Sequence, residues 1–375
     1  MPRQTSDHSS ESRAARQRLI GAELERCIYC QGTDISRHGK RVKKLETVQL
    51  WKCHTCKRVF TPQQAKGKTY PLKIILESFM LYYLGDTRER TAKHIKERFG
   101  ITVPLRTLSA WLAEYRGLTT YARLRPSASA RPRRRRVRSV RLHHQQVYQY
   151  RIHEEKLATI LATPEHRKLA PVAGFLGEMA KACPHPLFQT EARASQGKAA
   201  FDLQAVEIRA KRNHACRVAG LVLQTVIHHK RRHDEIQRFM LATDSVTVAV
   251  EIPIFITPDE LAYFREALGF HIPIDADVPL TGHIDFLQIR HGAIHILDYK
   301  PGANHERPIP QLMTYALALS RRTGLKLFDF VCAWFDENHY FEFYPLHVVH
   351  KRASHIVSLS ARTELLRPTS HGAGQ

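Results

Sequence analysis

No apolar run in the sequence approaches the roughly 18–20 residues that a membrane-spanning helix needs. The first residues, MPRQTSDHSSESRAARQR, lack the apolar centre of a secretory signal and are expected to be disordered. There are no internal repeats. Acidic residues are scarce: 35 stand against 58 lysines and arginines, for a formal net charge of +23 and a pI near 10.0. Such an excess points to a polyanionic partner, nucleic acid first, with an acidic membrane surface as the competing reading. The hydrophobic fraction of 43% is ordinary for a globular protein, and 375 residues leave room for two or three domains.

Four of the seven cysteines form two matched pairs, Cys27-x-x-Cys30 and Cys53-x-x-Cys56, separated by a spacer of 22 residues. Each C-x-x-C makes a tight knuckle that presents two sulfurs to one ion, and four thiolates bind zinc tetrahedrally. Coincidental or redox pairs are the alternative. A closed zinc site would supply folding energy that so small a segment cannot draw from a core. The β-prone stretch Thr47–Lys52 lies between the pairs. Cys183, Cys216 and Cys332 are scattered and read as ordinary core or near-surface thiols. Reduced C-x-x-C pairs fit a cytosolic compartment.

Pro71–Leu84 is strongly apolar and predicts a helix. A helix ending at Gly100 follows, then a turn, with Pro104 opening the next helix. In that helix Leu105, Leu108, Trp111, Leu112 and Tyr115 form an inward stripe, leaving Arg106, Thr107 and Ser109 to face outward near its start. This is the pattern of a helix-turn-helix, whose second helix offers its first residues to the major groove; a plain helical hairpin would look similar. The run W-x-C-x-x-C-x-x-x-F-T-P ahead of such a helix pair resembles the amino-terminal DNA-binding region of insertion-sequence transposases, over about residues 24–118. The resemblance implies zinc on Cys27, Cys30, Cys53 and Cys56 and DNA reading by the second helix. It does not extend to a transposase catalytic domain.

Residues 123–141, RLRPSASARPRRRRVRSVR, read as an extended linker. Its Arg131, Arg133, Arg134, Arg135 and Arg136 are candidates for DNA phosphates or a minor groove. The region 142–201 reads as mostly helical and carries no motif. Its histidines are not at recognisable ligand spacing.

The most informative stretch is GHIDFLQIRHGAIHILDYKPGA from Gly282, with QLMTYALAL following. Asp285 lies in one strand-like run, and Asp298 and Lys300 close the next as D-x-K. Two residues apart on a strand, Asp298 and Lys300 share a face, behind Ile294 and Ile296. Charges there are costly to bury unpaired. A cation bridged by Asp285 and Asp298, with Lys300 beside it, would offset that cost. Two carboxylates suit Mg²⁺ or Mn²⁺ rather than zinc. A hairpin with a surface Asp–Lys pair is the plainer alternative.

The pattern G-x-x-D, then D-Y-K, then Q-x-x-x-Y-A resembles the PD-(D/E)XK nuclease superfamily, in its restriction-endonuclease-like, RecB-like branch. The resemblance covers roughly residues 210–346. It implies Asp285 and Asp298 as metal ligands, Lys300 as the catalytic lysine, and Gln311 with Tyr315 as the helix motif beside them. The family takes a further ligand from the helix before the first strand. That helix offers His214, His228, His229, His233 and Glu235; His233 is favoured, with Glu235 next, because they lie nearest the strand. Glu251, opposite the apolar face of Ser245–Ile256, is a further candidate.

The sequence therefore predicts a multidomain α+β/α/β chain: a disordered tail (1–23), a zinc ribbon (24–66), a helix-turn-helix domain (67–122), an arginine-rich linker (123–141), a helical region (142–201), an αβββαβ nuclease-like core (202–350), and a carboxy-terminal helix with a disordered tail (351–375). Within the core the expected elements are a long helix over 202–241, strands at Ser245–Ile256, His283–Arg290 and Ile294–Lys300, a helix at Ile309–Arg321, and strands at Leu327–Phe335 and Tyr340–Leu346. The expected activity is Mg²⁺- or Mn²⁺-dependent DNA hydrolysis directed by the head, in the service of a mobile genetic element. The other reading is a non-catalytic DNA-binding regulator or transposition accessory factor with a degenerate nuclease fold. DNA is the expected partner, with a homodimer or other recombination proteins beside it, no membrane, and a cytoplasmic, nucleoid-associated location.

Overall fold

A computed structural model describes residues 26–349 apart from 28, 43–46, 62–68, 125–135, 190–192, 196–200, 202–205, 227–228 and 269–277. The expected tails, the carboxy-terminal helix and Arg131, Arg133, Arg134 and Arg135 fall outside the described residues.

The head begins with an antiparallel sheet of β1 (Ile35–Val42), β2 (Thr47–Cys53) and β3 (Val59–Phe60). Among the described residues its core cluster is Cys27, Trp51, Cys53 and Phe60. Three helices follow: α1 (Leu72–Tyr83), α2 (Arg88–Phe99) and α3 (Leu105–Glu114). The Thr87 side chain caps α2 by accepting from the Arg90 N–H, and Gly100, in the left-handed region at φ 65°, ends it. On α3, Leu108, Trp111 and Tyr115 are buried, but Leu105 is 41% exposed. The inward stripe thus starts one turn later than its sequence suggests.

An eight-stranded mixed sheet forms the body. Its elements in chain order are β4 (Val137–His144), β5 (Gln146–His153), α4 (Glu154–Leu161), α5 (Pro171–Ala182), β6 (Arg209–Ala210), α6 (His214–Leu223), α7 (Arg232–Thr243), β7 (Thr247–Ile256), α8 (Pro258–Leu268), β8 (Leu280–Arg290), β9 (Ala293–Tyr299), α9 (Ile309–Thr323), β10 (Phe330–Phe335), β11 (Tyr340–Phe343) and α10 (Pro345–Val349). The spatial order is β4-β5-β7-β8-β9-β10-β11-β6. Among the described strands β9 and β10 pair in parallel, and α9 makes the crossover that a parallel pair requires.

Helices cover both faces. Residues of α4, α5, α8 and α9 pack on one side of the sheet. On the other, α6 and α7 share a single core with α1, α2 and α3. The helical part of the head is therefore docked against the body rather than standing as a separate domain over 67–122. Strand β7 is buried on both faces for the same reason.

The structure corrects other sequence expectations. Residues 137–153 form a β-hairpin that joins the sheet edge, where linker and helix were expected; alternate residues such as Leu142, Tyr150 and Ile152 are buried there. The long helix expected over 202–241 is broken. Asn213 caps α6 by accepting from the Ala215 N–H at 2.8 Å, and a second helix starts at Arg232. Helix α8 is an unforeseen insertion between β7 and β8. The last two strands are shorter than expected, since 327–329 form a 3-10 turn and Pro345 opens α10.

Candidate active site

Strands β8 and β9 are joined by His291 and Gly292, both at positive φ (52° and 66°), the geometry of a two-residue hairpin turn. The register pairs Phe286 with Leu297. One step further, Asp285 comes opposite Asp298. There the ladder opens, because the Tyr299 N–H donates to Asp285 Oδ2 at 2.9 Å. Ile294 and Ile296 pack on the α9 side of the sheet, whereas Leu297 and Tyr299 pack on the α7 side. Asp298 and Lys300 continue the first series and meet α9: Lys300 Nζ lies 2.9 Å from Asp298 Oδ2 and donates to Gln311 Oε1 at 3.4 Å. Gln311 Nε2 in turn donates to the Tyr315 hydroxyl at 3.0 Å. The Tyr315 ring lies against Gly282, where a Cβ would stand 2.5 Å from ring carbon Cε1. The glycine is what lets α9 approach the sheet this closely.

From the other side of the sheet, α7 supplies His233, whose Nδ1 is 3.4 Å from Asp285 Oδ2 and whose ring stands edge-on to Tyr299 at 5.0 Å. Glu235 does not join them. It pairs with Arg231 at 3.3 Å and Arg238 at 3.5 Å and lines a separate pocket with Lys73 and Glu77. Two residues from His233 on a helix, it projects from a different face. His214 sits on α6 and does not line the cleft; the side chains of His228 and His229 lie outside the described residues.

Gln237, one turn beyond His233, was not singled out by sequence. It is buried and donates to Glu251 Oε1 at 2.7 Å and to the Asp285 carbonyl at 3.4 Å. Its i, i+4 spacing from His233 was the only available signal. Glu251 itself lines the cleft. It holds φ 54° in the middle of β7, and the strand changes phase there: Val250 packs on the α7 side and Ile252 on the α9 side. A non-glycine residue in this region is strained, and such strain collects at functional sites.

Burial and crowded charge set the protonation of the cluster. Burial alone would raise the Asp285 carboxyl, but His233, the Tyr299 N–H and Lys300 together hold it below the ordinary value. Asp298 is pushed up to about 7 by burial and then by the Asp285 charge, which outweigh Lys300. Glu251 is pushed up to about 8 by the same two causes. Burial opposes charge on His233 and Lys300, yet the neighbouring carboxylates raise both.

Asp298 Oδ2 is a buried atom without a well-directed hydrogen bond among the described residues. Carboxylates this close, with a single ammonium beside them, are hard oxygen donors that fit a divalent cation. Asp285 and Asp298 would hold it, with Glu251 or His233 completing the set. The cleft measures about 780 Å³, and Arg98, Arg151, Arg193, Lys230 and Arg238 stand among the residues lining it. Arg98 belongs to α2, so the head contributes to the cleft.

The four ribbon cysteines gather with their sulfurs within 4.8 Å of one another. Cys27 and Cys56 are 3.7 Å apart, Cys30 and Cys53 3.5 Å. The Tyr29 and Cys56 N–H groups point to Cys27 and Cys53 sulfurs at 3.4 Å each. The cluster is compatible with a zinc ribbon. On α3, Arg106 is exposed, while Thr107 and Ser109 are half-buried and Ser109 accepts from Arg88 at 3.0 Å. Arg136 is not available to DNA: it is 2% exposed, lies 3.4 Å from the buried Glu155 and donates to the Leu84 carbonyl.

The sequence profile of the PD-(D/E)XK nuclease superfamily matches residues 145–328. No curated protein and no solved structure matches the chain. The matched span opens at the β4–β5 hairpin, ahead of the boundary expected at 202, and it contains every residue of the carboxylate cleft from Tyr148 to Tyr315. Within this span the mixed sheet sets Asp285, Asp298 and Lys300 against Gln311 and Tyr315, so the part of the chain that is similar to the PD-(D/E)XK nuclease superfamily is the part that carries the carboxylate cleft.

Proposed function

We propose that the chain is a metal-dependent DNA nuclease that hydrolyses phosphodiester bonds and is brought to its substrate by its own head. The observation that carries this reading is the convergence of Asp285, Asp298, Lys300, Gln311 and His233 on one basic-rimmed cleft. A bound Mg²⁺ or Mn²⁺ would polarise the phosphate and lower the pKa of a water. Lys300, steadied by Gln311, offsets negative charge as it builds on the phosphate oxygens. His233 and Gln237 hold Asp285 and Glu251 in place. Arg98, Arg151 and Arg193 engage the flanking backbone, an interaction that weakens steeply with salt.

For the head, the support is the short turn between α2 and α3, the exposed Arg106 near the start of α3, and the four gathered cysteines. In this reading zinc holds the ribbon, and Arg106 and Thr107 meet base edges or phosphates. The transposase-like head motif favours a role in a mobile genetic element. One carboxylate centre per chain cuts one strand, so breaking both strands calls for a homodimer or a second nuclease.

The test is cleavage of labelled single- and double-stranded DNA with Mg²⁺ or Mn²⁺ by the wild type and by Lys300→Ala. Metal-dependent cutting lost in the variant supports the proposal. Tight DNA binding with no cutting by either protein overturns it in favour of a non-catalytic DNA-binding factor.

A further inference from the structure

Another cluster of metal-ligating side chains lies beside the cleft, which its member His144 lines. His144 ends β4, Cys183 follows α5, and His185 opens the 3-10 turn at His185–Gln189. One donor atom from each lies within 4.8 Å of the others. His144 Nε2 stands 2.9 Å from His185 Nδ1 and 3.8 Å from Cys183 Sγ. Zinc bonds of about 2.0 Å to nitrogen and about 2.3 Å to sulfur, at tetrahedral angles, put neighbouring donors roughly 3.3–3.6 Å apart. The two observed distances bracket that spacing.

The buried His144 ring is fixed for this task. It stacks on Phe188 at 4.1 Å and 11°. Its other nitrogen, Nδ1, lies 2.9 Å from His283 Nε2, and the His283 ring stacks on Tyr148 at 3.6 Å. A neutral imidazole has one N–H. If His144 Nδ1–H donates to His283, the Nε2 lone pair is turned toward His185 and Cys183. A metal-ligating histidine characteristically donates its remaining N–H in this way, which sets its tautomer. A proton shared between two imidazoles would account for the 2.9 Å approach, but it gives no role to the thiol beside them.

We propose that His144, Cys183 and His185 bind a zinc ion, with a fourth position open to water, and that this ion ties the β4–β5 hairpin to the 185–189 turn. Two imidazoles and one thiolate are borderline-soft donors, which favours zinc over the hard cations suited to the carboxylate centre. The ion would stiffen the wall that carries Tyr148 and Phe188. Through His144 it would also position His283, two residues before Asp285. The site stands on its own ligands and does not depend on the nuclease reading.

The test is the zinc content of the full chain after dialysis against excess Mg²⁺, measured by elemental analysis in an Asp298→Ala background that weakens the carboxylate centre. The expected result is two zinc ions per chain, falling to one in Cys183→Ser and to one in Cys53→Ser. Cobalt supplies a second readout. A Co²⁺–thiolate absorption that persists in Cys53→Ser but disappears when Cys183→Ser is added marks this site. His185 is exposed, so His185→Ala, checked by circular dichroism, repeats the assay should Cys183→Ser fail to fold. Unchanged zinc in both Cys183→Ser and His185→Ala, with all of it lost in Cys53→Ser, overturns the proposal.

Discussion

His233 Nδ1 lies 3.4 Å from Asp285 Oδ2, joining the helix that precedes β7 to the second strand after it. Glu235, two residues along, turns to Arg231 and Arg238 instead. Replacing His233 with alanine is therefore expected to lower metal-dependent cleavage by about 10- to 100-fold or more, the range seen when a ligand's supporting partner is lost. DNA affinity should change little. Glu235→Ala should stay near the wild-type rate. Steady-state cleavage of both variants beside a binding titration checks this, and equal losses in the two would exclude the assignment of His233.

The cluster also predicts the direction of pH dependence. Asp298 and Glu251 are held at about 7 and about 8, above the ordinary carboxylate range, and His233 is raised as well. Between about pH 5 and 8 these three groups bind more protons in the folded, metal-free chain than in the unfolded chain, so the cluster's contribution to stability falls as pH rises through that window, whereas the buried His144 and His283, held low by burial, act in the opposite direction. The lowered Asp285 acts only in more acidic solution. In EDTA the melting temperature of the wild type relative to Asp298→Asn should drop from pH 5.5 to 8, because only the wild type carries the raised Asp298 carboxyl. Because cation binding displaces the same protons, Mg²⁺ affinity should rise with pH. A slope unchanged in Asp298→Asn would contradict this account.

Gly282 and Tyr315 form a packing pair, since a Cβ at 282 would meet the tyrosine ring at 2.5 Å. Gly282→Ala is expected to cost about 1–3 kcal/mol, as overpacking does. It should also displace Gln311, which donates to the Tyr315 hydroxyl, and so impair cleavage. Tyr315→Ala makes room for the added methyl, so the double variant should be less destabilised than the two single effects summed. Denaturant unfolding of all four proteins measures the coupling; strict additivity would rule out the contact.

Among the described residues the ribbon's own core is four side chains, two of them cysteines. Removing zinc with a chelator and then restoring Mg²⁺, or making Cys53→Ser, should unfold it, leaving the body's two-sided core intact. The expected outcome is loss of site-selective DNA binding with non-selective cleavage retained. Footprinting and a cleavage assay on random-sequence DNA separate the two effects. Loss of both activities together would show that the ribbon supports the body directly.

The local parts were legible in the sequence wherever chemistry and spacing act over a few residues. The C-x-x-C pairs, the D-x-K step and the Gln311–Tyr315 helix face all follow from short-range geometry. Strands β8, β9 and β10 and helix α9 lie close to where their patterns put them. The region 137–153 was misread, because a polar edge hairpin such as VRSVRLHHQQVYQYRIH has few apolar residues to set its period.

The amino-acid order alone determined a basic chain with a cysteine-paired head and a carboxylate–lysine motif. Tertiary structure alone decided which helix histidine faces Asp285, that Glu251 and Gln237 enter the cleft, and that Arg136 is spent on Glu155 instead of DNA. It also decided that the head's helices share a core with α6 and α7, and that His144 meets Cys183 and His185 from 39 and 41 positions away in the chain. The physical reason is the same in each case: spacing fixes a side chain's direction within its own element, whereas contacts between distant elements are set by how the two apolar faces of the sheet are covered.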